Sequence, residues 1–437
     1  MSKFKNFLFL PLLLLLALGV VAACGQDDDG VVRLEYWIIN SDPIRLPVME
    51  SHVRAFNESQ DRIYVNFTPI PQDDALNRLN VAITAGEQPD ISDLLHGWVA
   101  GLVLRGELYE LDGMYNNWAG RNEMVPALIQ EIRNLDQANG RLHMLPATSN
   151  THTIWVRNDW LAEQGITNQL EWTWDDFFNA VEAMTDPSQV RFGHTIRGGA
   201  GSAPTLFEMI HSYSGEPTFE NGIATINRPH NVAFVQRYFD LFLTHAPESG
   251  LTAGHMEITA DFGAGIAGSM IHNLGSHANH VEAFDGNENM YQAIPMPYSR
   301  LGTRNLSTSV HGFAVLANTA HPAEAFEFIS FMVNEQNNSE WNETIGQLPS
   351  NVGVMGHNWF NDATHIATMT SAVNSPVTTS NGMPQFLPMN ASINTNVAAP
   401  SIQEALTGSI SVQELLDRWA NALTEELADF TENVLGN

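Results

Sequence analysis

The sequence predicts an α/β protein of two lobes. Three observations carry this: the order strand, helix, strand near its beginning; amphipathic helices with clear start signals spread over the rest; and 437 residues, more than one core usually supports. Val31-Val32-Arg33-Leu34-Glu35-Tyr36-Trp37-Ile38-Ile39 is an apolar, β-branched run that ends at Asn40-Ser41-Asp42-Pro43, a strand followed by a loop. A helix over 47–59 and the alternating strand Ile63-Tyr64-Val65-Asn66-Phe67 come next, the opening of a parallel sheet.

Further along, 73–85 places Ala75, Leu76, Leu79, Ala82 and Ile83 on one helical face, and the turn Gly86-Glu87-Gln88-Pro89 stops it. Pro89-Asp90-Ile91 opens a short strand or loop before a helix near 99–104. Thr173-Trp174-Asp175-Asp176 has the capping-box form, a hydroxyl followed three residues on by an acid, and Ser411-Val412-Gln413-Glu414 repeats it before the last long helix. Pro322 stands where a helix-starting proline belongs. The stretch 374–400, rich in Asn, Thr, Ser and Pro, reads as a long surface excursion or a cleft-lining segment.

The first 23 residues are set apart from the fold. Lys3 and Lys5, the apolar run 7–21 and Val21-Ala22-Ala23-Cys24 form a charged region, a hydrophobic region and a small-residue cleavage site, which specify export. The segment resembles the lipobox of bacterial lipoproteins, in which the cysteine, here Cys24, is acylated and holds the chain to the membrane. An acidic linker, 24–30, would follow as a leash. Cys24 is the only cysteine, so the exported body is expected to hold together without disulfides. Two of the 19 basic residues lie in the leader, which leaves 17 arginines against 49 acids, a formal charge of −32. Such a field repels nucleic acid, which excludes it as a partner, and argues mildly against a phosphorylated solute.

Several separated segments together resemble the family 1 extracellular solute-binding proteins, the maltose-binding-protein-like receptors of carbohydrate ABC importers. They are 75–86 with Pro89-Asp90-Ile91; 104–112, similar to a "G-L-x-x-L-D" motif; Gly140-Arg141-Leu142-His143-Met144-Leu145-Pro146 leading to 154–160; Trp172-Thr173-Trp174-Asp175-Asp176; Phe262-Gly263-Ala264-Gly265 leading to Met270; 321–329; and Gly346-Gln347-Leu348-Pro349. The resemblance covers nearly all of 31–437. It implies a periplasmic-binding-protein-like type II fold, two α/β lobes with a hinge and an interlobe ligand cleft. The N-terminal lobe would comprise 31–148 and 313–348 and the C-terminal lobe 149–312 and 349–437, with crossings near 147–151, 308–312 and 349–351. It also implies a monomer with no cofactor, a transmembrane ABC permease as partner, and a sugar as ligand.

Sugar capture needs flat aromatic faces for C–H patches and planar, fixed donors and acceptors for hydroxyls. Ligands of open α/β sheets sit beyond the carboxyl ends of the strands. Asn40, Ser41 and Asp42 occupy the loop after the first strand, where ordinary turn chemistry before Pro43 is an equal explanation. Asp93, His96 and Trp98 are placed in another loop at that edge, with Trp98 as a stacking platform. From the resemblance, Asn150 and His152 fall at the first crossover, Asn273 at a polar position of the other lobe, and His311 and Gly312 at a pair that lets backbone approach the ligand. Trp341 and Trp359 reach the cleft or pack in the core. The tryptophan that maltodextrin receptors carry shortly after Asn273 is missing, and Gly275, Ser276 and His277 stand there instead, which implies a smaller or more polar ligand.

Two other classes compete. An exported glycoside hydrolase would need two carboxylates about 5–10 Å apart, and no catalytic motif accompanies the binding-protein segments. A metal receptor is suggested by His272, His277 and His280, of which the last two are spaced i, i+3, but no cysteine or acidic ligand motif joins them. Polyols and glycerol-phosphate-type solutes remain alternatives to a sugar.

Overall fold

The structure is a computed structural model that describes residues 30–39 and 42–436. The leader, Cys24, Asn40 and Ser41 lie outside the described residues. Strand β1 (Val32–Ile38) sends Leu34, Tyr36 and Ile38 into the core, each fully buried, as its period-2 pattern requires. Helix α1 (Leu46–Ser59) returns the chain with Pro47 in its first turn and Met49, Val53 and Phe56 on its buried face. Strand β2 (Ile63–Pro69) then pairs parallel with β1, Val32 opposite Ile63. Helix α2 (Gln72–Ala85) ends at Gly86, whose φ of 72° gives the left-handed cap that glycine adopts without strain. Strand β3 (Ile91–Leu95) lies on the other flank of β1 and runs directly into helix α3 (His96–Leu104).

Strand β4 (Leu145–Arg157) is the spine of the molecule, 13 residues long and buried along nearly its whole length. In the C-terminal half the helices that matter are α4 (Trp174–Met184), α5 (Ser202–Ser214) and α6 (His255–Gly263). Strand β5 (Ser269–Asn273), helix α7 (His277–Ala283), strand β6 (Tyr291–Pro295) and strand β7 (Thr308–Val315) follow. Helices α8 (Pro322–Met332) and α9 (Glu335–Ile345), strand β8 (Leu348–Pro349) and helix α10 (Val412–Phe430) complete the frame. Thr173 and Asp176 make the reciprocal bonds of a capping box, at 3.3 and 2.8 Å, and the Ser411 hydroxyl accepts the Glu414 N–H at 3.1 Å.

One strand serves two sheets. The order is β8-β4-β7-β3-β1-β2, and β5 and β6 attach to the distal part of β4. The first half of β4 pairs with β7, Leu145 opposite Phe313, while His152 to Val156 face β5 and Thr153 to Arg157 face β6, all antiparallel. Two separate apolar cores result. One gathers β1, β2, β3, the start of β4, β7, α8 and α9, including Trp341; the other gathers the end of β4, α4, α5, β5, β6 and α10. The crossing strands between them are the hinge of a two-lobed α/β clamshell.

The segment 374–400 is not the surface excursion its composition suggests. Leu387 and Ala398 are fully buried, and 390–393 is helical. A Cβ on Gly97 would lie 2.7 Å from Gln385 Oε1, and one on Gly101 2.8 Å from the Pro388 carbonyl, so this segment leans on α3 of the opposite lobe. Enough apolar side chains punctuate the polar run to pin it down.

Candidate functional site

The N-terminal wall of the cleft starts with the turn after β1. Asp42 accepts the N–H groups of Ile44 and Arg45 at 3.0 and 3.1 Å and the Arg45 guanidinium at 2.8 Å. That ion pair holds the Asp42 carboxyl below its ordinary range against the opposing effect of burial, which is the larger single influence. Arg45, 7% exposed, then reaches across the cleft and donates Nη2 to the Gly275 carbonyl at 3.0 Å.

Asp93 belongs to β3 and not to a loop; Tyr36 donates its hydroxyl to it, and the Ile39 N–H donates at 3.0 Å. Burial first, and the Asp93 charge second, push the Tyr36 hydroxyl well above its ordinary value. His96 and Trp98 are likewise helical, because α3 begins three residues earlier than its apolar run, with Leu95 at its cap and no side-chain signal. His96 is almost fully buried 3.6 Å from Glu131, and burial, then the neighbouring His311, lowers it to about 3. Trp98 is half-buried and packs with Trp37 against Ile39, Ile70 and Ala75 of its own lobe.

On the crossover and the C-terminal wall, Asn150 and Thr151 are 2% and 3% exposed, and neither side chain has a hydrogen-bond partner. His152 stands opposite Asn273 in the β4–β5 register. Asn273 folds its Oδ1 back onto the Gly275 N–H at 2.9 Å, and its carbonyl accepts the Trp155 indole N–H at 3.1 Å. His272 bonds the Ser276 hydroxyl at 2.6 Å and stacks on His255, ring centroids 4.7 Å apart and 21° from parallel.

The electrostatics tie these groups to one place. Burial lowers His152, His255 and His311 to about 4, and guanidinium charge adds to it: Arg197 for His152, Arg45 for His311, both for His255. Burial also takes His272 well below its ordinary value, helped by His255, Arg197, His152 and Arg45. These imidazoles are therefore neutral hydrogen-bonding groups at ordinary pH.

Gly312 is needed for a different closeness than the one expected. A Cβ there would sit 2.2 Å from the Leu145 carbonyl, at the bulge where β7 crosses β4, so the neighbouring backbone by itself demands the glycine. Trp359 donates its indole N–H to the Ser339 hydroxyl of α9 at 2.8 Å. His277 stacks on His365 at 3.7 Å, and His280 packs against Trp155 and Phe262. Among the described residues no group of three or more His, Cys, Asp or Glu side chains is placed to hold a metal ion. Two surface hollows, of about 480 and 450 Å³, lie away from the cleft, one beside Phe56, Trp118 and Phe331, the other beside Trp172 and Asn179.

Sequence reasoning missed Arg45, Arg197 and His255, and weighed His272 only as a metal ligand. The run Arg197-Gly198-Gly199-Ala200-Gly201-Ser202 was the available signal, a glycine-rich turn opening a helix.

Two α/β lobes on shared hinge strands, with polar side chains buried between them, define a two-lobed solute-binding protein. The chain belongs to the bacterial extracellular solute-binding proteins, whose family pattern matches residues 46–339. A binding protein of Brucella abortus is 21% identical over 340 residues, 77% of this chain and 80% of that one. Among solved structures, a Thermotoga lettingae ABC transporter solute-binding protein bound with α-D-tagatose superposes with a TM-score of 0.79 at 16% identity, covering 91% of this chain and 100% of the other. Maltose-bound T. maritima MalE3 superposes with a TM-score of 0.77 at 18% identity, covering 90% and 100%. No described helix is long and apolar enough to cross a membrane.

Proposed function

We propose that this chain is a lipid-anchored extracytoplasmic receptor that closes on a small sugar or related solute and delivers it to the transmembrane permease of an ABC importer. The observation that carries the reading is Asn150 and Thr151, buried on the crossing strand between two lobes with no partner for their side chains. Buried polar groups left unpaired cost roughly 1–3 kcal/mol each, and a hydroxyl-rich solute would satisfy them. His152, His311 and Asn273 line the same crossing and offer further neutral donors and acceptors; Asp42, Asp93 and His96 support the wall behind them. The T. lettingae and T. maritima relatives carry sugars, which supports the same ligand class here.

The lobes are taken as 31–148 with 313–348 and 149–312 with 349–437. A ligand touching both would favour the closed state by its differential affinity, and that state is the one to dock on the permease. Acylation at Cys24 would keep the receptor beside its permease and raise its effective concentration there. With Trp98 packed on its own lobe and no tryptophan in the few residues after Asn273, the cleft suits a short ligand better than a long oligosaccharide. The reading is binding without turnover.

Calorimetry of the exported chain against mono-, di- and trisaccharides and polyols tests this. The expected result is saturable binding of one class with the ligand recovered intact. Hydrolysis of the ligand, or binding to none of them, would sink it.

A further inference from the structure

We propose that α3 and the segment 385–390 form a latch across the lobe boundary, a contact of the chain's own atoms that favours closure and so sets how tightly the cleft retains its solute. The proposal rests on the reading of the chain as a two-lobed trap and names a control on its closing.

The two halves of the latch belong to different lobes. Helix α3 turns Val99, Ala100 and Leu102 into the N-terminal core. The segment is fixed to α10 of the C-terminal lobe: the Phe386 ring packs on Phe430 at 5.8 Å, and the Met389 N–H donates to the Glu426 carboxylate at 3.0 Å. Two turns shape it, the Leu387 N–H donating to the Pro384 carbonyl at 3.0 Å and the Asn390 N–H to the Leu387 carbonyl at 3.1 Å. The Asn390 side-chain amide also donates to Gln385 Oε1 at 3.1 Å. The segment therefore meets α3 as a preformed edge.

Helix α3 receives that edge on glycine. Gly97 and Gly101 stand four residues apart and so share one side of the helix. A Cβ on Gly97 would fall on the end of the Gln385 side chain, which can swing away; one on Gly101 would fall on the Pro388 carbonyl, which is backbone and cannot. Neither glycine has a positive φ, so the helix by itself would accept alanine at both places and be better formed for it. The demand for glycine comes from the opposite lobe.

Neither α3 nor 385–390 belongs to a crossing strand, so their contact lies outside the hinge and separates when the lobes part. The apparent affinity of a solute that binds the closed state is its intrinsic affinity scaled by the closed fraction. A contact made only between closed lobes raises that fraction for every solute alike.

The test compares the exported chain with its Gly101→Ala variant. Small-angle X-ray scattering without added solute should give the variant a larger radius of gyration. Calorimetric titration with glucose, maltose, mannitol and glycerol should show severalfold weaker binding, by one common factor for each of these that binds. Gly97→Leu, where only the Gln385 side chain must yield, should change both readings in the same direction and serves if Gly101→Ala does not fold. An unchanged radius overturns the latch, whatever the melting temperature does. Losses that differ from one solute to another place the glycine at the solute and overturn it too. If none of the four solutes binds wild type, it is the receptor reading that fails, and scattering still decides the latch.

Discussion

On the N-terminal wall of the cleft, Asp93 uses its carboxylate to fasten Tyr36 and the end of β1, whereas on the crossover Asn150 and Thr151 are just as deeply buried with side chains that bond nothing. Both sets are polar and both lie in the cleft, so burial and residue type do not distinguish them. Hydrogen-bond satisfaction does. The first wall is satisfied from within its own lobe, and the second leaves donors and acceptors that the proposed solute would fill.

Acidification should have the largest effect on this contrast, since it acts on both walls together. His152, His255 and His311 sit near 4 in the folded chain, below the ordinary imidazole value of about 6.5. A group whose folded value is depressed stabilises the fold fully above the unfolded value, and that contribution is lost as pH falls from about 6.5 through 4. Protonation here adds charge beside Arg45 and Arg197, and at His255 Asp42 and Glu257 oppose it. Each imidazole contributes up to about 3 kcal/mol, so melting temperature should drop steeply across that window; a flat profile would show that the cleft opens to water before the rings titrate.

Asp93→Ala comes next. It leaves the fully buried Tyr36 hydroxyl and the Ile39 N–H without their acceptor, and urea unfolding should register a loss of roughly 2–5 kcal/mol. Asn150→Ala should do the opposite on the facing side: unchanged or slightly higher melting, and ligand affinity roughly tenfold weaker by calorimetry. A destabilised Asn150 variant would erase the distinction between the walls.

What the sequence made legible was local. The β1–α1–β2 order, the capping box at Thr173 and Asp176 and the start at Pro322 each depend on residues a few positions apart, and each is in the fold. The start of α3 was not legible, because Leu95 offers no capping atom to betray it. The cleft itself was only half legible. Positions on crossing strands could be anticipated from the resemblance, but the meeting of Arg45, Arg197, His255 and His272 comes from segments far apart in the chain, and no periodicity encodes that contact. Gly312 shows the converse: its need for a small residue was readable, yet the neighbour that imposes it is the Leu145 backbone.

The sharing of β4 between two sheets also governs the order in which the chain can fold. Strand β3 in the first lobe has β7 as its neighbour, and β7 arrives only after most of the second lobe has been synthesised. The first sheet therefore cannot be completed by a nascent chain, and its closure joins residues of very high sequence separation, the kind of contact that makes folding slow. The late arrival of that single hinge strand keeps the first lobe open until most of the second has been made.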